Sequence, residues 1–218
     1  MAVGWWWVGL AVALGVAAAI ALRPRTYRYA DDEVRRVVSP WWVPVAAGVG
    51  AVLAGPFWRA EPVPVVVTGV IALVWLAVLT LIDLEVRRLP DVLTLPAYPV
   101  TALLLVWCAA VTDRWDALAV AAACSGAAVA AYGLLVLLSP GGLGEGDVKL
   151  AGVLGALLGW FSWRTAAYGL VAGFLVGGLV AAVLLVGRRA SRRSTIAFGP
   201  AMVVGAYLVG VVAPVAVG

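Results

Sequence analysis

The chain has 218 residues, of which 65% are apolar and only 12% charged, with a formal net charge of +4 and a mean hydropathy of +1.08. A soluble domain carries about 25% charged residues, and a fold of this size leaves too much of its chain at the surface to hide so much apolar area in water. These figures exclude a water-soluble enzyme, and with no basic domain to carry it the positive balance argues against a nucleic-acid partner. The chain also has no histidine, which removes Ser–His and Cys–His catalysis and the usual histidine metal sites.

A bilayer crossing takes roughly 20 helical residues. The apolar runs predict about eight crossings, at 3–22, 41–58, 63–83, 92–112, 117–138, 147–161, 165–187 and 196–217. That makes the chain an all-α polytopic membrane bundle. No stretch alternates apolar and polar residues as a membrane barrel strand does. Between the first two crossings lies RPRTYRYADDEVRRVVSP at 23–40, a solvated segment too short to bury a core of its own. It carries Arg23, Arg25, Arg28, Arg35 and Arg36, together with Asp31, Asp32 and Glu33. Arg87, Arg88, Lys149, Arg188, Arg189, Arg192 and Arg193 fall on the same side of the bundle, whereas the opposite side holds only Arg59, Arg114 and Arg164. Cationic loops stay in the cytoplasm, so the richer side is cytoplasmic and both termini lie outside. The positive charge also favours contact with anionic lipid. Trp5, Trp6, Trp7, Trp41, Trp42 and Trp160 fall where interfacial aromatic belts belong.

The third crossing runs into LTLIDLEVRRLPDVLTLP, residues 79–96. Asp83 closes about twenty apolar residues and so sits at the membrane boundary. Pro90 pushes Leu89 off helical angles, and Pro96 and Pro99 delay a clean fourth helix. Irregular backbone at that depth needs protein or water around it, which implies a wet notch beside Asp83. An ordinary helix end with Asp83 paired to Arg87 one turn on fits this stretch equally well. Farther along, Cys108 and Cys124 lie inside apolar segments without a CxxC spacing and read as small buried hydrophobes.

Before the sixth crossing comes SPGGLGEGDVKLAGVLGALLGW, residues 139–160. Gly141, Gly142, Gly144 and Gly146 make a flexible turn through which backbone can approach another segment, and Asp147 then opens the helix. Asp147 could be a plain N-cap. A phosphate cradle is disfavoured by the spacing and by the repulsion of Glu145 and Asp147. Lys149 is the sole lysine, and a Ser–Lys base is disfavoured because Ser139 lies ten residues upstream. In the seventh crossing Gly169, Gly173 and Gly177 form a small-residue stripe expected to pack tightly on a neighbouring helix.

Asp83 and Asp147 on one membrane face form a candidate catalytic dyad. Two close carboxylates share a proton, so one can activate water while the other polarises a carbonyl. No metal or organic cofactor is needed. Helix dipoles assign the water-activating role to Asp147, at a helix start, and the proton-donating role to Asp83, at a helix end. A transporter or non-catalytic assembly protein would use the same pair as a proton or ion site.

At these residues the chain resembles the type IV prepilin peptidases, the GxGD-type membrane aspartyl proteases. LIDLEVRRLPDVLTLP is similar to their first-aspartate motif, with Pro90 in its Pro–Asp step. GLGEGDVKLAGVLGALLGW is similar to their GxGD motif with a following lysine, carried by Gly144, Gly146, Asp147 and Lys149. IAFGPAMVVGAYL at 196–208 resembles their late helix start, carried by Phe198, Gly199 and Pro200. The resemblance implies Asp83 and Asp147 as the catalytic pair, in a six-helix peptidase core at 63–218. It implies cleavage of prepilin-like or pseudopilin leaders at the cytoplasmic face of a bacterial plasma membrane. The leader would be basic and end in glycine, and Glu85, Asp91 and Glu145 could attract it. Bifunctional members also N-methylate their product and carry paired CxxC motifs in an early cytoplasmic domain. Residues 1–62 hold no such motif and are expected to be transmembrane segments around a short loop, so a peptidase without methyltransferase activity is expected.

Overall fold

A computed structural model describes residues 5–24, 27, 37–138, 143–187 and 197–216. The arginines at 25, 28, 35, 36, 188, 189, 192 and 193, the acids at 31–33 and the glycines at 141 and 142 lie outside the described residues. Eight helices follow in chain order: α1 (Trp6–Ala21), α2 (Trp42–Trp58), α3 (Val63–Val86), α4 (Asp91–Thr112), α5 (Trp115–Leu138), α6 (Glu145–Gly159), α7 (Trp163–Val186) and α8 (Gly199–Ala216). No strand occurs among the described residues, and the chain is a polytopic helical bundle. Helices α3, α4, α5 and α7 are long and apolar enough to cross a membrane. Helices α1 and α2 are shorter apolar rods, and α6 has only 15 residues, about 22 Å of rise.

The core is divided along the chain. Trp7, Ala11, Val43, Ala47, Ala51, Val66, Val70 and Ile82 bury the α1–α2 pair against one face of α3. Leu76, Leu79, Tyr132, Leu150, Leu154, Leu158 and Met202 join α3, α5, α6 and α8 in a second cluster. Large apolar side chains on α5 and α7, such as Leu137, Leu175 and Val186, remain exposed. In water that surface would be untenable; in a bilayer it meets lipid.

Small residues set the tightest contacts. A methyl group on Gly173 would lie 3.0 Å from Met202 Cα, and one on Gly177 2.9 Å from the Phe198 ring. The α7 glycine stripe therefore packs closely on its neighbours, as expected: Gly173 and Gly177 on α8 and the residue before it, and Gly169 on Leu158 of α6. A second stripe, Gly152, Gly155 and Gly159 on α6, receives α4 and α5, with a Gly155 methyl 2.7 Å from the Cys124 carbonyl.

Two local expectations change. Helix α4 starts at Asp91 and runs through Pro96 and Pro99. Proline is tolerated inside membrane helices because neighbouring groups can satisfy the freed carbonyls, and α4 is pinned at its start, where the Thr94 hydroxyl joins the Leu93 and Thr94 amides on the Pro90 carbonyl. Trp7 and Trp160 are not in an exposed belt. Both are 2% exposed, and the Arg114 guanidinium sits 5.0 Å over the Trp160 ring.

Candidate active site

The site forms where α3 ends and α6 and α8 begin. Arg87 takes left-handed angles (φ 51°, ψ 39°) and its amide closes α3 onto the Asp83 carbonyl at 2.9 Å. Pro90 then adopts extended angles and α4 starts at the next residue. Asp83, on the last turn of α3, is only 5% exposed. The wet notch expected beside it is therefore largely closed by protein.

What closes it is the Phe198–Gly199–Pro200 segment. The Gly199 amide donates to Asp83 Oδ2 at 3.1 Å, across 116 residues of sequence. Amides of a first helical turn have no partner within their own helix, so the start of α8 supplies a donor to a buried carboxylate. A methyl on Gly199 would lie 2.9 Å from that same oxygen, so only glycine gives the contact room. Pro200, next in line, has no N–H to leave unpaired. Phe198 packs at a tilt of 46° against Phe174 with ring centroids 5.1 Å apart, which joins the turn to α7.

Asp147 is the third residue of α6, not its N-cap; Gly144 holds the cap position. The carboxylate turns back to accept the Gly144 amide at 3.1 Å, the N3 half of a capping box. Gly146 faces the α3–α4 connection, where a methyl would lie 2.8 Å from Leu89 Cβ. The GxGD turn thus presses directly on the Arg–Arg–Leu–Pro–Asp turn.

No Cα of α3 comes within 8 Å of a Cα of α6 among the described residues; α4 and α8 each pack against both. Asp83 and Asp147 are carried by helices that meet only through side chains, such as Leu76 and Leu79 of α3 in one cluster with Leu150 and Leu154 of α6. Asp83 lies on the last turn of α3 and Asp147 on the first turn of α6, the placement expected from the sequence; each carboxylate also accepts a backbone amide near a helix start, Asp83 from Gly199 and Asp147 from Gly144.

The other acids separate by environment. Asp91 is paired with Lys149 at 2.5 Å, a partly exposed bridge between α4 and α6. Tyr98 reinforces it by donating to the Lys149 carbonyl at 2.8 Å. Glu145 is exposed beside the site. Glu85 is not at the surface at all: it is 0% exposed, with its carboxylate held by the Tyr27 hydroxyl and the Val38 amide. Sequence reasoning missed this anchor, and the only signal was an acid one residue inside a helix end.

Fold and site together define a polytopic helical membrane protein with a pair of carboxylates at one end of its bundle. The chain belongs to the type IV leader peptidase family, whose model matches residues 70–214. It is 35% identical over 176 residues to the prepilin leader peptidase/N-methyltransferase of Escherichia coli strain K12, a match spanning 75% of this chain and 69% of that protein. No solved structure matches it.

Proposed function

We propose that this peptidase is an aspartic endopeptidase that removes the leaders of prepilin-like or pseudopilin substrates at the cytoplasmic face of a bacterial plasma membrane. The observation that carries the reading is the pair Asp83 and Asp147, each accepting a backbone amide of a glycine, at two turns of which one presses on the connection that follows the other aspartate. One carboxylate takes a proton from water as the oxygen attacks the scissile carbonyl. The other, protonated, hydrogen-bonds the developing oxyanion, and the leaving amine then collects a proton from the pair.

The cytoplasmic side follows from the cationic connections. Asp91 and Glu145 give that end of the bundle acids for a basic leader, although the charge of Asp91 is shared with Lys149. We assign cleavage without N-methylation, because Cys108 and Cys124 are the two cysteines of the sequence and form no CxxC pair. Both are free.

Co-expression with prepilin-like substrates in a host lacking its own leader peptidase tests this reading. The expected result is a shortened substrate with an unmethylated new N-terminus, read by gel mobility and mass. A substrate left at full length would overturn it, and is what a proton- or ion-coupled transporter would leave. A methylated N-terminus would overturn the narrower assignment.

A further inference from the structure

Glu85 is a fully buried carboxylate two residues after Asp83. Burying a charged or polar carboxyl is costly unless its oxygens are satisfied. Here Oε2 accepts the Tyr27 hydroxyl at 2.6 Å and Oε1 the Val38 amide at 2.7 Å, from 58 and 47 residues away in sequence. Tyr27 is itself 5% exposed and belongs to the apolar cluster that seats α1 and α2 on α3. Glu85 therefore grips both ends of the connection between α1 and α2.

Residues two apart on a helix point about 200° from one another. The last turn of α3 is thus held on opposite sides: Asp83 by the Gly199 amide of α8, and Glu85 by Tyr27 and Val38. Beyond it Arg87 ends the helix in left-handed angles, so that turn has no further helix to stiffen it. The family match begins at residue 70, so Glu85 lies inside the matched region and both of its partners lie outside.

We propose that Glu85 is a positioning residue, tying the α1–α2 connection at Tyr27 and Val38 to the last turn of α3 and so fixing Asp83 against α8. The proposal rests on the peptidase reading for its effect on rate. The contact itself makes the N-terminal helix pair part of the catalytic frame.

Three variants of the full chain, purified in detergent, test it: Glu85→Ala, Glu85→Gln and Tyr27→Phe. The assay is cleavage of a probe peptide with a basic leader, a terminal leader glycine and an apolar helix. Glu85→Ala should lower kcat by about tenfold or more with KM within about twofold, because the loss lies in geometry at the reacting atoms. Glu85→Gln, whose amide can still accept from Val38 and meet Tyr27, should recover most of that loss. Tyr27→Phe combined with Glu85→Ala should be no slower than Glu85→Ala alone, the signature of one shared contact.

A raised KM with unchanged kcat would make Glu85 a leader contact and overturn the proposal, as would wild-type kcat in all variants. If Glu85→Ala does not accumulate, Tyr27→Phe and Glu85→Gln decide: a threefold or greater fall for the first with near wild-type kcat for the second supports positioning, and the reverse order overturns it. Hydrogen exchange gives a readout independent of cleavage. Faster exchange at Val38 and at 83–87 in Glu85→Ala, but not in Asp83→Asn, supports the anchor even if no leader is cut. Unchanged exchange overturns it.

Discussion

Gly199 is the residue on which the geometry of Asp83 turns. Its amide is the donor to a carboxylate that is nearly closed off from solvent, and it lacks the side chain that would block the contact. Gly199→Ala should displace the Asp83 carboxylate by a fraction of an ångström to an ångström. A misplacement of that size costs about ten- to a hundredfold in kcat, readable in initial rates at matched protein. Gly178, with nothing within 4 Å of an added methyl, is the control, and Gly178→Ala should be neutral.

Asp91→Asn should retain activity within about threefold, since a partly exposed pair such as Asp91–Lys149 contributes on the order of 0–1 kcal/mol. Outside the spans, burial pushes the Glu61 carboxyl above its usual value while the Arg114 charge pulls it down. A carboxyl raised on folding favours the native state at low pH and loses that advantage as pH rises through its folded value. Glu61→Gln should therefore raise the Tm at pH 7, and the gain should vanish in acid.

At the scale of elements, the helix bounds were legible in the amino-acid sequence because lipid demands continuous apolar runs. Crossings expected at 63–83, 92–112, 117–138 and 165–187 became α3 at Val63–Val86, α4 at Asp91–Thr112, α5 at Trp115–Leu138 and α7 at Trp163–Val186. The stripe of Gly169, Gly173 and Gly177 announced a close helix contact for the same kind of reason. Which helices flank α3 and α6 was not legible, since hydropathy carries no information about neighbours. Nor was the α8 amide on Asp83, a contact 116 residues apart in sequence. The Glu85 anchor was hidden too, because an acid near a helix end looks like a surface charge until its partners are seen. Gly205 tests the element scale directly, as its added methyl would collide with the backbone of α7 at Gly173. Gly205→Ala should part α7 from α8 and cost roughly 1–3 kcal/mol, seen as a Tm lowered by several degrees.

For the whole molecule, alternation of the helices puts the α3–α4 turn and the start of α6 at one end of the bundle, with the Arg59, Arg114 and Arg164 connections at the other. Arg59 and Arg114 each lie 5.0 Å over a tryptophan ring, Trp5 and Trp160, so that far end carries its cations on aromatic faces. In a background without Cys108 and Cys124, Arg88→Cys should label with an impermeant thiol reagent only from the cytoplasm. Ala60→Cys and Asp116→Cys should label only from outside. Outside labelling at 88 would put both aspartates on the wrong face for a cytoplasmic leader.

The central claim is that Asp83 and Asp147 do the chemistry together. The most direct measurement is the rate of leader release from one prepilin-like substrate by the purified wild type, Asp83→Asn and Asp147→Asn, each shown to be inserted and folded. Asparagine keeps the shape of the carboxylate and its acceptor for Gly199 or Gly144 but cannot exchange the proton. General acid–base catalysis is worth about 10²–10⁴-fold, so each variant is expected to fall at least about a hundredfold with the other aspartate intact. Release at near the wild-type rate by either variant would contradict the account.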